Sequence, residues 1–244
     1  LIADGYDTKL STFEVLLPAL IDNFEKDAQA QEPKFKDLEA PSQVLRNWNY
    51  YSNVNSVATT LANEWAFKLN PILQKVYIDE GEKDQVENMS EFAKTAGIDD
   101  MLPQLREVVQ ELQTKFGKWE IPWGDINRFQ RPSGDIDLTY DDNKESLAMG
   151  TASVLWGSLP AFKSSYQNNS KKRYGYNGNS FICAVEFGPK IKAKSLLAGG
   201  NSGDPNSKHF FDQAKMYQNA QFKDVLFYKE DVQKNAEKTY HPGE

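Results

Sequence analysis

The chain has 244 residues, of which 39% are hydrophobic and 26% are charged. Its 28 basic and 35 acidic residues give a net charge of −7, which argues against general nucleic-acid or anionic-membrane binding, because both need a basic face. No apolar run approaches the roughly 18 residues of a membrane span, and Leu1 does not open a signal peptide.

The first part of the chain has the periodicity of helices. Apolar residues recur at intervals of three and four, as on one face of an amphipathic helix. The three clearest stripes run from Phe13 to Phe24, from Val57 to Leu73 and from Met101 to Phe116, with lesser helices predicted at Ser42–Trp48 and Gln85–Ala96. Gly117 is placed to cap the third stripe. Residues 1–117 are therefore predicted to form a mainly helical region.

The character of the sequence changes after Gly117. Residues 118–150 are rich in aromatic residues, Gly, Pro and Asn, and predict a long irregular segment. Two strands, at Ser180–Phe187 and Lys190–Leu197, are joined at Gly188-Pro189 and predict a β-hairpin. The elements predicted beyond it are a strand at Val225–Tyr228 and helices at Lys208–Gln218 and Lys229–Lys238. Residues 118–244 thus form the second region of one structural unit, and the fold class is α+β.

The single cysteine bears on both redox chemistry and packing. One cysteine excludes an internal disulfide and a Cys-based zinc site. Cys183 lies in the apolar run Phe181-Ile182-Cys183-Ala184-Val185, which predicts a thiol packed in the core.

Two motifs that are typical of catalysis have simpler interpretations here. The run Gly199-Gly200-Asn201-Ser202-Gly203-Asp204 lacks the Lys-Ser/Thr ending of a phosphate loop, so it predicts a turn. Ser202 does not stand in a Gly-x-Ser-x-Gly elbow. His209 is predicted to lie at the start of a helix on the surface, and His241 lies near the chain end.

Charged residues cluster near the start of the second region. Asp135, Asp137, Asp141 and Asp142 do not match a calcium loop, which needs Gly at its sixth position and a late Glu, so they predict a solvated loop. Arg128 and Arg131 flank Phe129. They are predicted to pair with the nearby aspartates, the alternative being recognition of a carboxylate ligand.

Three tryptophans and one glutamate are candidate site residues. Trp119, Trp123 and Trp156 are candidates for the wall of a hydrophobic substrate pocket, and the alternative is that they anchor the core. Glu186 shares one strand face with Ile182 and Ala184. If both faces of that strand are covered, Glu186 needs a partner; otherwise it is a strand-end carboxylate in water.

The order of segments along the chain resembles the penicillin amidase family, and most closely the C-terminal part of the β subunit in its penicillin acylase and acyl-homoserine-lactone acylase branch. The resemblance covers essentially the whole chain and is most specific from Gly199 to Val232. The segments that carry it are LIADGYDTKLSTFEVLLPAL, VLRNWNYYSNVNSVATTL, WGDINRFQR, GNSFICAVEFG, AGGNSGDPNSKHFFDQAKMYQNAQFKDVLFYKEDV and TYHPGE.

The resemblance implies a hydrolase with an N-terminal nucleophile and an αββα sandwich. In this family a precursor cleaves itself into α and β subunits and exposes a Ser at the start of β. That Ser attacks an amide carbonyl with its own α-amine as base, and backbone N–H and an Asn side chain hold the oxyanion. The implied substrates are N-acyl compounds such as penicillins and acyl-homoserine lactones. No cofactor is implied, although some members carry structural calcium, and the implied location is periplasmic or secreted.

The resemblance also implies that the catalytic groups are not in this chain. Leu1 has no nucleophilic atom, and the family's nucleophile, its nearby His and its oxyanion Asn precede the matched stretch. Glu186 is a candidate for orienting that His, and no residue is assigned to a metal. We therefore expect an inactive C-terminal fragment whose partners are the remainder of the β subunit and the α subunit, and which self-associates without them. The alternative is a stand-alone binding module that uses the Trp119–Trp156 segment.

Overall fold

The computed structural model describes residues 2–80, 85–133, 139–167 and 170–241. Helices dominate before Gly117, and strands appear only after it. The helices are α1 (Ile2–Gly5), α2 (Phe13–Ala28), α3 (Glu39–Arg46), α4 (Val57–Glu80), α5 (Gln85–Thr95), α6 (Ile98–Phe116), α7 (Trp123–Ile126), α8 (Ala214–Gln218) and α9 (Lys229–Lys234). The strands are β1 (Asn127–Phe129), β2 (Leu147–Ala148), β3 (Phe162–Tyr166), β4 (Arg173–Gly178), β5 (Phe181–Glu186), β6 (Lys192–Leu197) and β7 (Lys223–Asp224). The α+β class is confirmed.

The helical region is organised around α2. Its apolar stripe is buried, and it packs against α3, α5 and α6, while α4 packs against α5 and α6. Helix α6 ends where the sequence predicted, because Gly117 adopts the left-handed conformation with φ 81° and its N–H donates to Gln113 O at 2.9 Å. The free energy of transfer of this apolar surface from water is the main source of stability here.

The main hydrophobic core extends beyond the helices. Ile121, Trp123 and Ile126 from the segment around α7, together with Ala152 and Trp156, are buried in the same cluster as the side chains of α2, α4 and α6. A second, smaller cluster contains Met149, Phe162, Leu196 and Tyr217. This second cluster lies between the two sheets and α8.

Two small sheets follow the helices. The first has the order β2-β1-β4-β3, in which β1 and β4 run parallel and the other neighbours run antiparallel. The second has the order β5-β6-β7 and is antiparallel throughout, with Phe181 opposite Leu197 and Glu186 opposite Lys192. The predicted hairpin of β5 and β6 is therefore confirmed.

Several predicted elements differ from the structure. The helix predicted at Lys208–Gln218 begins only at Ala214, and the strand predicted at Val225–Tyr228 is instead the two-residue β7 at Lys223–Asp224. The last helix ends at Lys234 rather than Lys238. The sequence analysis predicted no strands at the positions of β1 to β4.

The prediction of a buried thiol is wrong. Cys183 is exposed, and so are Phe181 and Val185 on the same face of β5 and Phe187 directly after the strand. The run is apolar, but within the described residues its side chains on this side of β5 remain exposed.

Within the described ranges, no helix combines the length and the apolar character that crossing a bilayer requires.

Candidate functional site

The segment from Trp123 to Arg131 connects distant parts of the chain. The Trp123 and Gly124 N–H groups donate to Ser56 O at 3.1 Å and Val54 O at 2.8 Å, and the Trp123 Nε1–H donates to Thr151 O at 3.1 Å. Gly124 is required for this contact, because a Cβ there would lie 2.8 Å from the Val54 Cβ. Two of the segments that carry the family resemblance therefore pack directly on each other.

Asn127 is the polar centre of this segment. Its side chain is fully buried and donates to Met149 O at 2.8 Å and to Thr151 O at 2.9 Å, while its Oδ1 accepts from Ser164 Oγ at 2.7 Å. A buried amide with these three partners fixes β1 against the chain after β2 and against β3. Both N–H donors of its side chain are therefore used within the protein.

Arg128 and Arg131 form no ion pair with Asp141 or Asp142, and the other two predicted partners, Asp135 and Asp137, lie outside the described residues. Arg128 donates to Ser146 Oγ at 3.0 Å, to Gly124 O at 2.8 Å and to Ser146 O, and partial burial lowers the pKa of its guanidinium. Arg131 donates to Gly200 O at 3.3 Å and to Phe210 O, with its guanidinium 4.1 Å from the Phe210 ring centre. Both therefore satisfy backbone carbonyls, for which the planar fork of guanidinium donors is suited.

Arg131 closes the glycine-rich loop between Gly199 and Gln213. The loop is also tied by the Gln213 N–H to Gly199 O at 2.8 Å and by the Ser202 N–H to His209 O at 3.0 Å. A Cβ on Gly200 would lie 2.1 Å from His209 O, so only glycine fits. The predicted turn is confirmed, although it is part of a longer loop that hydrogen bonds tie together at its two ends.

His209 forms a dyad with Asp212 on this loop. The ring Nδ1 lies 2.7 Å from Asp212 Oδ2, and both side chains are substantially exposed. The hydrogen bond with His209 lowers the pKa of Asp212. Across the described residues, no hydrogen bond brings a Ser, Thr or Cys side chain to the His209 ring, so the dyad lacks the nucleophile that a catalytic relay needs.

The three candidate pocket tryptophans lie in or against the main core. Trp123 and Trp156 are buried there, and Trp119 packs partly buried against the cluster. The Trp156 ring is 5.6 Å from the Phe13 ring and 5.7 Å from the Phe67 ring, centre to centre. None of the three lines a cavity described below, so their role in a substrate pocket stays a prediction.

Glu186 lies at the exposed end of β5. Its side chain is 69% exposed, and its nearest cation is Lys192 Nζ at 3.7 Å on the neighbouring strand. An ion pair this exposed and this long contributes little to stability. A role in orienting a catalytic His stays a prediction, since no His in the described chain contacts Glu186.

The described part of the acidic stretch does not have the arrangement of a metal site. Asp135 and Asp137 lie outside the described residues. The Asp142 carboxylate accepts from Ser170 Oγ at 2.6 Å, from the Lys171 N–H at 2.9 Å and from the Tyr174 hydroxyl at 2.8 Å. It is therefore occupied by protein donors, and the described residues contain no group of three or more His, Cys, Asp or Glu side chains that could hold a metal ion.

The second region contains, among others, two cavities next to the second sheet. A groove of about 560 Å³ runs along the second sheet and is bounded by Ile2, Ala184, Leu226 and Tyr228. A cleft of about 310 Å³ between the two sheets is lined by Phe129, Phe162 and Tyr217. Neither contains His209 or a nucleophile adjacent to a base.

What this arrangement can do is hold backbone segments in register. Asn127 was not among the predicted site residues, although it fixes backbone segments as the two arginines do. The available signal was its place in WGDINRFQR, where the apolar Ile126 precedes it and the apolar Phe129 follows two positions later, so that an amide here is expected to be buried and to need partners.

A comparison with known protein families supports the resemblance that these segments carry. The model of the penicillin amidase family matches residues 4–234, which is nearly the whole chain. The chain therefore belongs to the penicillin amidase family, a family of amide hydrolases.

Proposed function

We propose that this chain is the C-terminal part of the β subunit of an N-acyl amide hydrolase and that it supports a catalytic centre carried by other polypeptide of the same precursor. The substrates are N-acyl compounds of the penicillin or acyl-homoserine-lactone type. The nucleophile oxygen bonds to the acyl carbon as the C–N bond breaks, the amine leaves with a proton, and water then hydrolyses the acyl ester.

The observation that carries this proposal is how the side chains of the segment WGDINRFQR are used. Trp123, Asn127, Arg128 and Arg131 spend their donors on backbone carbonyls. Such groups position the chain rather than polarise a substrate. Ser170 Oγ does donate to the Asp142 carboxylate, but neither residue lines the two cavities described above, whereas amide hydrolysis requires a nucleophile and its base together in a cavity.

A second observation supports the need for more polypeptide. The β5–β7 sheet exposes large apolar side chains that a folded protein ordinarily covers: Phe181, Val185, Phe187, Val225, Leu226 and Phe227. A sheet in a layered sandwich has a packed layer against each apolar face. The remainder of the β subunit and the α subunit are the partners that we propose to supply these layers.

We propose that the reaction needs no organic cofactor, since a nucleophile, a base and an oxyanion hole suffice for acyl transfer. The described acidic side chains do not fit a calcium ion, because Asp142 is occupied by protein donors, so no step is routed through a metal. The periplasmic or secreted location rests on the family resemblance.

The test compares the processed product of the complete gene with this chain alone. Both are assayed with N-acyl-homoserine lactones and with phenylacetyl amides, with release of the amine as the readout. The proposal predicts turnover by the processed product and none by the chain alone. Turnover by this chain alone would overturn the division of labour, and a correctly processed but inactive product would overturn the hydrolase assignment. A gene that encodes only these residues would favour the binding module instead.

A further inference from the structure

The side chain of Lys115 lies where the helical region meets the first sheet. It extends from the last turn of α6, and its Nζ is 3.6 Å from the centre of the Tyr166 ring on β3. An ammonium group is attracted to the face of an aromatic ring, which holds this side chain in place. Lys115 is partly buried rather than enclosed, so a small molecule can still approach its amine.

Other lysines of the chain are neutralised by a carboxylate. Lys9 Nζ is 2.6 Å from Glu14, and Lys68 Nζ is 2.8 Å from Glu107. The contact with Glu14 raises the pKa of Lys9, because an adjacent carboxylate favours the ammonium form. In the described part of the chain, Lys115 has no ion pair of this kind, so its ammonium form lacks that stabilisation.

A second cation lies near the same aromatic ring of β3. The Arg173 guanidinium is 5.0 Å from the centre of that ring, and Glu64 is bound to this guanidinium at 3.1 Å. Burial is the largest cause that lowers the pKa of Lys115, and the positive charge of Arg173 acts in the same direction. The carboxylates of Glu64, Glu111 and Asp142 act in the opposite direction, but the pKa remains below its usual value.

These surroundings activate a lysine amine in two ways. A lysine becomes nucleophilic when it is desolvated or lies next to another cationic group, because both disfavour the ammonium form. Only the unprotonated amine has the lone pair that attacks a carbonyl carbon. Lys115 meets both conditions, whereas Lys118, three residues further along the chain, is exposed to water. Lys118 therefore serves as a comparison within the same protein.

We propose that Lys115 is a covalent modification site for strained cyclic acyl compounds, and specifically for β-lactams. The inference rests on the proposed function only in the choice of β-lactams as the compounds that this protein encounters. The unprotonated Nζ bonds to the ring carbonyl carbon, the ring C–N bond breaks, and the ring nitrogen takes the proton that leaves Nζ. The product is an amide on Lys115, and the step needs no further reactant.

This modification differs from turnover at the catalytic centre. Acylation removes the positive charge that lies against the Tyr166 ring and leaves a stable amide on Lys115. An unstrained N-acyl amide is not expected to react in this way, because no ring strain is released when its C–N bond breaks. The reaction at Lys115 therefore consumes the cyclic compound once and does not recur.

The test uses the complete processed enzyme and aminopenicillanic acid, a β-lactam without the N-acyl group that the proposed hydrolase cleaves. Samples are quenched over time and digested, and mass spectrometry measures the adduct at each lysine. The adduct on Lys115 is expected to form several-fold faster than the adduct on Lys118, although Lys118 is the more exposed. Labelling of Lys115 at the same rate as Lys118, or more slowly, overturns the inference.

A substitution identifies the residue that carries the fast reaction. Lys115→Arg keeps a cation against the Tyr166 ring, so the fold is expected to be retained. The fast adduct should be lost in this variant, while the labelling of Lys118 should stay unchanged. Retention of a fast adduct in Lys115→Arg shows that another residue carries it and overturns the inference.

The pH dependence of the same reaction is an independent measurement. Exposures are kept short enough that the β-lactam itself does not hydrolyse. The rate at Lys115 should reach half of its maximum below the ordinary lysine pKa of about 10.4, because the surroundings lower the pKa of Lys115. A half-maximum at or above this pH overturns the inference.

Release of amine from an N-acyl amide by the same preparation separates this inference from the proposed function. An enzyme that hydrolyses the amide but shows no preference for Lys115 overturns the modification site alone. A preference for Lys115 in a processed but inactive protein supports the site and overturns the hydrolase assignment.

Discussion

Glu64 and Arg173 are 109 residues apart in the chain, and their side chains form an ion pair with Arg173 Nη1 3.1 Å from Glu64 Oε1. The side chains are only 12% and 7% exposed. The Arg173 guanidinium also lies 4.3 Å from the centre of the Phe67 ring. This contact joins α4 of the helical region to β4 of the first sheet, so the two regions depend on each other.

Removing one partner of this pair is expected to destabilise the protein strongly. Glu64→Gln leaves the buried guanidinium without its counter-charge, a loss of about 3–5 kcal/mol. Chemical denaturation of the purified chain measures the free energy of unfolding. The single variants Glu64→Gln and Arg173→Met are compared with the double variant. The loss of unfolding free energy in the double variant is expected to be smaller than the two single losses added together. Strict additivity would show that the two groups do not interact.

Substitution of Asn127 is also expected to destabilise the protein. Asn127→Ala removes the donors to Met149 O and Thr151 O and the acceptor of Ser164 Oγ, each in a buried setting. Unsatisfied buried groups cost about 1–3 kcal/mol each, so we expect a loss of at least about 2 kcal/mol. Asn177→Ala, at an exposed position of β4, is the matched control and should change stability little. Similar losses for both variants would contradict the structural role of Asn127.

Arg131 should control the dynamics of the glycine-rich loop. Arg131→Lys keeps the charge but loses the fork that reaches Gly200 O and Phe210 O. Hydrogen exchange at the Ser202 and Gln213 amides is expected to accelerate about tenfold. Arg46→Lys, in an exposed pair with Glu25, is the control. Unchanged exchange in the loop of the Arg131 variant would contradict the contact.

Acid should weaken the contact between Asp142 and the chain before β4. Partial burial alone would raise the pKa of Asp142, but hydrogen bonds from Ser170, the Lys171 N–H and Tyr174 outweigh it and hold the pKa below its usual value. The folded pKa is thus below the unfolded pKa of about 3.9. The stabilisation is complete above that pH and is lost as the pH falls through the folded pKa.

Denaturation at several pH values checks this prediction. The free energy of unfolding of the natural chain should fall from about pH 5 downward, and Asp142→Asn should remove part of that slope. A variant with the same slope as the natural chain would show that Asp142 does not contribute.

The sequence predicted the helical region well because each helix buries one apolar stripe. Phe13–Phe24 and Met101–Phe116 carry enough periodic residues to define α2 and α6, and Gly117 marks an end that only a left-handed residue fits. Nothing comparable marks β1 and β2, which are three and two residues long. Strand β1 depends on pairing with β4, which is distant in the chain.

The candidate site was harder to predict for a related reason. The helix expected from Lys208 fails over its first residues because His209 O and Phe210 O accept from Ser202 and Arg131 instead of continuing a helix. The buried position expected for Cys183 assumed a covered sheet, and the described chain leaves that face open. In the first case the decisive partner, Arg131, lies 79 residues away from Phe210 in the sequence.

The most direct test of the central claim is to locate the acyl group during turnover. The complete processed enzyme is mixed with a slowly hydrolysed N-acyl amide and quenched in acid, and mass spectrometry of its peptides then identifies the residue that carries the acyl adduct. The account predicts an adduct on polypeptide outside this chain and none on residues 2–241. An acyl adduct on a residue within this chain, formed at the rate of turnover, would contradict it.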